Sequence, residues 1–248
     1  VHSHIVLDVK ESQMKLRLLL VLLVCACLSA SAFAAPTLLV GPTGSEMMHE
    51  AGTGGMGITE TWNPVTGVWM GSWTTAMWDA TWNLTLDPDP GIAGVIGLTN
   101  NNMTMAQPMT FNVSMATIGY YPAGSFMTGS SAITVTDANF DGSGTMSTQT
   151  GVAIYTALID GAQLIPSGEL FPDSYSLTAT GLGAANSANS SFTSTTPVAL
   201  ASSMGINHLF MLTPGDNATA NSTFFVVPEP ATLSLLGVGV LALLRRRK

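Results

Sequence analysis

One short acidic segment has the residue types and spacing of a calcium-binding loop. Residues 137–142 read DANFDG, so side-chain oxygens at loop positions 1, 3 and 5 can converge on a hard cation, and Gly at position 6 permits the sharp turn. The position at which an EF-hand has a bidentate Glu is Thr148. The segment therefore predicts either a Ca²⁺ site formed by Asp137, Asn139 and Asp141 or an Asx-rich turn between strands, and we favour the turn. No other cofactor is predicted.

Aromatic side chains are the second candidate for binding, because exposed rings can stack on sugars. All tryptophans of the chain fall within 21 residues: Trp62, Trp69, Trp73, Trp78 and Trp82. Trp78 and Trp82 share one face of an alternating segment with Leu84, which predicts that they belong to the core. Trp69 and Trp73 lie outside that alternation and are the candidate glycan contacts, although burial is favoured for them as well because large aromatics usually bury.

A glycine-rich segment and the scarcity of nucleophiles both argue against catalysis. Residues 52–57 (GTGGMG) match G-x-G-x-x-G, but no hydrophobic strand precedes them and no helix follows, so we predict a flexible loop rather than a dinucleotide site. The chain has no G-x-S-x-G, and its body offers only His49 and His208 as histidines. We therefore expect a protein that is not an enzyme.

The charges are distributed very unevenly along the chain. The 248 residues include seven Lys and Arg and fifteen Asp and Glu, for a formal net charge of -8. Every base lies within residues 10–17 or 245–248, whereas residues 35–227 hold twelve acids and no base. Such a body argues against nucleic-acid binding, which needs basic residues to neutralise phosphates. Bases confined to the two ends, each beside an apolar run, indicate targeting signals.

The N-terminal basic cluster opens a tripartite secretory signal over residues 14–34. A basic region at 14–17 precedes an apolar run at 18–28, and the A-x-A sequence that ends at Ala34 predicts cleavage by signal peptidase between Ala34 and Ala35. The apolar run is too short to span a bilayer. We interpret residues 1–13 as a mis-called leader, with translation starting at Met14. Both cysteines lie inside the signal, which excludes disulfides from the mature chain.

The C-terminal cluster closes a second tripartite segment, residues 227–248. Pro228-Glu229-Pro230 precedes an apolar run at 231–244, and four bases follow at 245–248. Fourteen helical residues reach only about 21 Å, against a hydrocarbon core of about 30 Å. The run predicts a short transmembrane helix whose basic end stays cytoplasmic and whose upstream chain lies outside.

This tail resembles the PEP-CTERM sorting signal of Gram-negative bacteria that produce exopolysaccharide, a motif also catalogued as the C-terminal domain of ice-binding proteins. The resemblance implies recognition by a membrane enzyme, exosortase, with cleavage near Pro228-Glu229-Pro230. It further implies an inner-membrane intermediate and then delivery to the outer surface or the extracellular matrix. A plain single-pass anchor is the alternative interpretation.

The periodicity of residues 35–226 is that of strands. Apolar and polar side chains alternate in several short runs separated by Gly, Pro, Asn and Asp; the runs are 78–87, 109–115, 133–136 and 175–179. Residues 208–213 and 218–226 flank a turn at 214–217 and predict a hairpin, and the segment 181–203 predicts a loose loop or a weak edge strand. We expect an all-β fold: a single antiparallel β-sandwich, jelly-roll or Ig-like, between a signal helix and a short C-terminal transmembrane helix.

These expectations combine into a structural or adhesive role at the cell surface or in the extracellular matrix of an exopolysaccharide-producing bacterium. The partners would be signal peptidase, exosortase and exopolysaccharide. The alternative is a polysaccharide-binding module that uses Trp69 and Trp73. Ice binding is a weaker alternative, because it requires a flat, regular threonine array and the sequence has only short Thr runs.

Overall fold

The computed structural model describes residues 35–87, 90–117 and 120–227, and every regular element in these ranges is a β-strand. The strands are β1 (Thr37–Pro42), β2 (Met47–Glu50), β3 (Ile58–Asn63), β4 (Val68–Thr74), β5 (Trp78–Asp87), β6 (Gly91–Asn100), β7 (Gln107–Ala116), β8 (Phe126–Thr136), β9 (Ser143–Ser147), β10 (Tyr155–Ile159), β11 (Ala162–Gln163), β12 (Glu169–Leu170), β13 (Ser176–Thr180), β14 (Ala185–Thr195), β15 (Ser203–Leu212) and β16 (Asn217–Val227). Within the same ranges, no helix has the length and apolar character needed to cross a bilayer. The all-β prediction is confirmed, whereas the expected signal helix and C-terminal helix fall on residues outside the described ranges.

The strands form two antiparallel sheets that share one apolar core. The nine-stranded sheet runs β11-β10-β15-β7-β1-β2, with β12 beside β10 and with β9 joining β13 to β15. The seven-stranded sheet runs β14-β8-β16-β6-β5-β4-β3. Buried side chains from both sheets belong to a single cluster, so the predicted antiparallel sandwich is confirmed at this level.

The clearest periodicity in the sequence produces the most regular strand. Strand β5 alternates strictly between buried and outward-facing residues over its ten positions, with Trp78, Ala80, Trp82 and Leu84 turned inward. Burying one such large apolar side chain contributes roughly 2 kcal/mol. This is why the period-2 pattern decides both where the strand lies and which face it presents to the core.

The predicted hairpin around residues 214–217 is wrong, because the two flanking strands lie in different sheets. Strand β15 pairs with β7 and β10, whereas β16 pairs with β6 and β8. The backbone carbonyls at the end of β15 are satisfied by a side chain instead: the Asn100 amide donates to Leu212 O and to Thr213 O, both at 3.1 Å. A short Pro-Gly turn can connect two strands of the same sheet or two strands of different sheets, so the turn sequence does not distinguish these two arrangements.

Residues 181–203 were predicted to form a loose loop or a weak edge strand. The structure shows the edge strand, β14. Its eleven residues pair with β8 on one side, and it ends the seven-stranded sheet on the other. Only Ala188 and Phe192 pack against the core from this strand. The weak apolar signal of the segment follows from this half-covered position.

Candidate functional site

The outer face of the seven-stranded sheet presents small and uncharged polar side chains over most of its area. Even-numbered residues of β8 and odd-numbered residues of β14 and β16 point outward. The strand registers align these positions in rows across the sheet, such as Ser187 beside Thr134 and Thr134 beside Thr219. No Lys or Arg occurs anywhere between residues 18 and 244, so this face carries no basic group.

A shallow cleft of about 310 Å³ lies on this face over β14, β8 and β16. We call it the polar cleft, and its outward-facing residues are Asn189, Ser191, Ser130, Ala132, Asn221 and Thr223. They form two rows, because Asn189 and Asn221 both pair with Ala132, and Ser191 and Thr223 both pair with Ser130. The small residues of β8 therefore form the floor, and the flanking strands form the walls.

The lining of the polar cleft offers hydrogen-bonding groups without charge. Ser130 Oγ and Thr223 Oγ1 share a hydrogen bond of 2.8 Å. The exposed side-chain amides of Asn189 and Asn221 hydrogen-bond to no group in the described part of the chain. Each amide thus keeps two donors and one acceptor available on opposite walls of the cleft.

Aromatic side chains lie on the same face just beyond the polar cleft. Phe225 follows Thr223 by two residues along β16, so both point outward. Its ring lies over Gly91 of the neighbouring strand, where an added Cβ would stand 2.5 Å from the ring atoms, and 36% of the residue remains exposed. Phe126 on β8 is 46% exposed and is a diagonal neighbour of Phe225 through its pairing with Val227.

The floor of the cleft is held from below by a buried polar chain between the sheets. His208 Nε2, on β15, lies 2.9 Å from Ser222 Oγ on β16, and that hydroxyl donates to Ser131 Oγ on β8 at 2.8 Å. Burial lowers the pKa of His208 to about 3, so the imidazole is neutral at physiological pH. Ser131 and Ser222 alternate with the outward residues that line the polar cleft.

The expectation that Trp69 and Trp73 could be exposed is contradicted by their burial. Trp69 is 0% and Trp73 4% exposed, so neither ring offers a face on which a sugar could stack. The favoured interpretation, core packing, is what the structure shows. Both rings surround His49 together with Trp82, at centroid distances between 5.9 and 6.5 Å. Trp69 and Trp73 lie on the same face of β4, but the residue between them on that face is Gly71, so no apolar alternation marks this face in the sequence.

His49 makes a buried contact with a carboxylate that the sequence did not reveal. Its Nε2 atom lies 3.0 Å from Glu60 Oε2, although the contact lacks the geometry of a good hydrogen bond. Trp69 Nε1 donates to the same oxygen at 2.7 Å. Burial alone would raise the pKa of Glu60, but the contacts with His49, Trp69 and the Gly54 backbone outweigh burial and lower it.

The glycine-rich loop, residues 52–57, completes this cluster. The backbone N–H groups of Gly52 and Gly54 donate to Glu60 Oε1 at 3.0 and 3.2 Å. Both glycines have positive φ, which an L side chain adopts at a cost, and this turns their N–H groups toward one point. Glycine-rich loops can bind anions through their backbone N–H groups, and this loop binds the Glu60 carboxylate of the same chain. The segment predicted as a flexible loop is therefore tied to β3.

The calcium-loop candidate, residues 137–142, connects β8 to β9. Asp137 is buried, and its carboxylate accepts the N–H groups of Asp141, Gly142 and Gly183 at 3.1–3.2 Å. Asn139 Oδ1 accepts a further N–H from Asp141 at 3.0 Å. In the described residues no three His, Cys, Asp or Glu side chains are grouped as metal ligands. The geometry is that of an Asx-rich turn, and Ca²⁺ binding by Asp137, Asn139 and Asp141 stays a prediction.

The neighbouring turn between β15 and β16 is tied to this one. Asp216 Oδ1 accepts Ala138 N–H at 3.2 Å, and Asn139 Nδ2 donates to Pro214 O at 2.7 Å. Asp216 also accepts a short hydrogen bond from Thr213 Oγ1. Burial, followed by the charges of Asp141 and Asp137, raises the pKa of Asp216.

The two processing sites expected from the sequence fall mostly on residues outside the described ranges. Ala34 and the segment Pro228-Glu229-Pro230 lie outside them, and Ala35 packs partly against the core. Strand β16 ends at Val227, so the folded domain reaches the proline-rich segment directly.

Comparisons with solved structures give only distant likenesses. An adhesin domain of Lys-gingipain from Porphyromonas gingivalis matches at 7% identity and a TM-score of 0.29, with 69% of this chain and 98% of that one covered. A carbohydrate-binding module described for specific mannan recognition matches at 8% identity and 0.30, covering 69% and 96%. A xylan-binding module matches at 10% and 0.26, covering 68% and 95%. At such scores no ligand or activity is transferred to this chain.

The family comparison identifies the tail rather than the body. No curated protein matches the chain significantly. The model of the PEP-CTERM protein-sorting motif matches residues 226–248. That match confirms the resemblance drawn from Pro228-Glu229-Pro230, the apolar run and the basic end. The chain therefore carries a PEP-CTERM protein-sorting motif, the signal of an exported protein that is sorted by exosortase at the membrane.

Proposed function

We propose that this protein is a surface or extracellular-matrix protein with a structural and adhesive role in an exopolysaccharide-rich envelope. The observation that carries the proposal is the sorting motif at residues 226–248, which begins within the last strand of the domain. Signal peptidase would remove residues 14–34, and exosortase would process the chain near Pro228-Glu229-Pro230. The proposed role is not catalytic.

The composition of residues 35–227 suits an extracellular protein that is in contact with polymer. Residues 35–227 lack cysteine, so the fold does not depend on the redox state of its surroundings. The excess of acids keeps the domain soluble and reduces non-specific attraction to anionic polymers. Adhesion would then depend on specific, largely uncharged contacts.

The second candidate function is a polysaccharide-binding module, and the polar cleft is the observation that favours it. This candidate no longer uses Trp69 and Trp73, because both are buried. Fewer observations support ice binding. The cross-strand row through Ser187, Thr134 and Thr219 contains two threonines, and Gly97 interrupts it on β6.

Replacing Pro228, Glu229 and Pro230 by alanines tests the sorting step. We expect the variant to accumulate in the inner membrane and to be lost from the cell surface and the medium, because the proline-rich segment is the proposed recognition and cleavage region. Immunoblots of fractionated producing cells measure this. Pro197→Ala changes an exposed proline elsewhere and should leave sorting intact. Unchanged release of the triple variant would contradict the proposal.

Adhesion itself is tested by co-sedimentation of the processed protein with exopolysaccharide from the producing cells. We expect saturable retention on the washed polymer that persists at 0.5 M NaCl, because the contacts proposed are not ionic. Retention that salt abolishes, or no retention at all, would contradict an adhesive role.

A further inference from the structure

We propose that the polar cleft, together with Phe225, is a binding site for one chain of an uncharged polysaccharide. This inference rests on the polysaccharide-binding function proposed above and assigns it a surface. The site is the juxtaposition, on one sheet face, of two asparagine amides that have no partner among the described residues, a floor of small residues and an exposed aromatic ring.

Charge selects the class of ligand. None of the residues that line the polar cleft is ionisable, and the body has no Lys or Arg to neutralise a phosphate, sulfate or uronate. A cation would find no carboxylate in the lining either. A ligand rich in hydroxyl groups but without charge is the class that these surroundings match.

Hydrogen-bonding capacity is arranged on both sides of an open floor. Asn189 and Asn221 stand on strands that flank β8, so their backbones are separated by two strand spacings, roughly 10 Å. Ala132 between them is too small to fill the gap. Amides that both donate and accept can pair with sugar hydroxyls in either role, which suits a chain of linked sugars lying over the floor.

The aromatic ring extends the site along the strands. Phe225 lies one outward position beyond Thr223, about 7 Å further along β16. Its contact with Gly91 fixes the ring on the sheet while leaving part of it open to solvent. An apolar sugar face can pack on such a ring while neighbouring hydroxyls reach the polar cleft. Because the site extends along the strand from the polar cleft to Phe225, it suits a polymer better than a monosaccharide.

The cleft is also preorganised. The hydrogen bonds from His208 through Ser222 to Ser131 join the strands that carry its floor and one wall to the opposite sheet. Because these strands are already held in place, their backbone loses little entropy when a ligand binds, so weak neutral contacts can give measurable affinity.

Native gel electrophoresis of the processed protein, purified after expression of the full chain, tests the site. The gels contain a neutral glucan, a neutral galactomannan, polygalacturonate, or exopolysaccharide from the producing cells. We expect retardation by the native polymer and by at least one neutral polymer, and none by polygalacturonate. The double variant Asn189→Ala/Asn221→Ala should weaken binding about tenfold, as expected for the loss of two hydrogen bonds.

Matched variants separate binding from folding. Thr59→Ala/Thr61→Ala changes exposed polar residues on β3, at the opposite edge of the same sheet, and should leave affinity unchanged. Phe225→Leu should weaken binding several-fold, whereas Phe225→Tyr, which keeps the aromatic face, should retain it. The melting temperature of each variant is measured alongside.

Each outcome is decisive. Wild-type retardation that the cleft variants do not alter would overturn this site while leaving the adhesive function in place. Retardation by polygalacturonate alone would overturn the uncharged class. Failure of the wild type to bind any polymer, including the native one, would overturn both the site and the polysaccharide-binding function.

Discussion

Glu60 places its two carboxylate oxygens against three hydrogen-bond donors and the His49 ring. His49, Trp69 and the N–H groups of two glycines surround its two oxygens. A buried carboxylate is tolerated only when such partners compensate for its lost hydration. The cluster fastens β2 of one sheet to β3 and β4 of the other.

Glu60→Ala should therefore destabilise the domain by about 3 kcal/mol, because it leaves an indole N–H and two backbone N–H groups without their acceptor and removes the carboxylate beside His49. Urea unfolding followed by tryptophan fluorescence measures the change. Glu50→Ala removes a nearby exposed carboxylate and should cost less than about 0.5 kcal/mol. Equal effects of the two substitutions would show that the buried contacts do not stabilise the fold.

For single residues, the sequence predicts which side chains are buried better than it predicts which side chains contact each other. The tryptophans were correctly favoured as core, but nothing along the chain links His49 to Glu60, since β2 and β3 belong to different sheets. The polar cleft was equally hidden, because Asn189 and Asn221 are separated by 32 residues and become neighbours of Ala132 only through strand pairing.

Among the elements, the two turns at 137–142 and 213–216 connect strands of different sheets and hold each other. Asp137 supplies the acceptor for three backbone N–H groups, and Asp216 accepts a fourth from the facing turn. Regular strands such as β5 were predictable because alternation reports burial directly. The partner of a strand is not encoded locally, and so β15 and β16 were wrongly paired as a hairpin.

Asp137→Ala should destabilise the domain by about 2–3 kcal/mol, because its backbone partners are left without an acceptor. Asp173→Ala, which removes an exposed carboxylate with one local contact, is the matched control. Thermal melts with and without 1 mM CaCl₂ test the calcium hypothesis in the same experiment. A site would raise the wild-type melting temperature and not that of Asp137→Ala. The absence of any rise would contradict calcium binding.

Across the whole molecule, the two sheets are joined by polar contacts as well as by the apolar core. His208 reaches Ser222, and the Tyr155 hydroxyl donates to Thr223 O at 2.9 Å. His208 Nδ1 has no hydrogen-bond partner among the described residues. A proton on this ring would therefore bury both a charge and an unpaired donor between the sheets.

The depressed pKa of His208 predicts acid sensitivity. Its folded pKa is about 3, whereas the unfolded imidazole takes up a proton near pH 6.5, so the unfolded state binds more protons between these values. Stability is full above about pH 6.5 and falls as the pH is lowered, by at most about 1.4 kcal/mol per pH unit from this group. His208→Gln should flatten urea-unfolding stability measured between pH 7 and pH 4.

Ser222→Ala is the control for this experiment. It removes the hydrogen bond but leaves the buried imidazole in place, so stability should drop at every pH while the dependence on pH persists. Identical pH slopes in the wild type and in His208→Gln would show that another group causes any acid sensitivity.

Strand β16 sets an order of events during export. It lies between β6 and β8, and the sorting motif begins at its end. Until residues 217–227 have left the membrane, β6 and β8 have no strand between them, and one wall of the polar cleft does not exist. The fold can therefore be completed only after the chain has been exported as far as its sorting signal. If the cleft binds polysaccharide as proposed, that binding surface is incomplete until this moment and could not hold polymer on the way out.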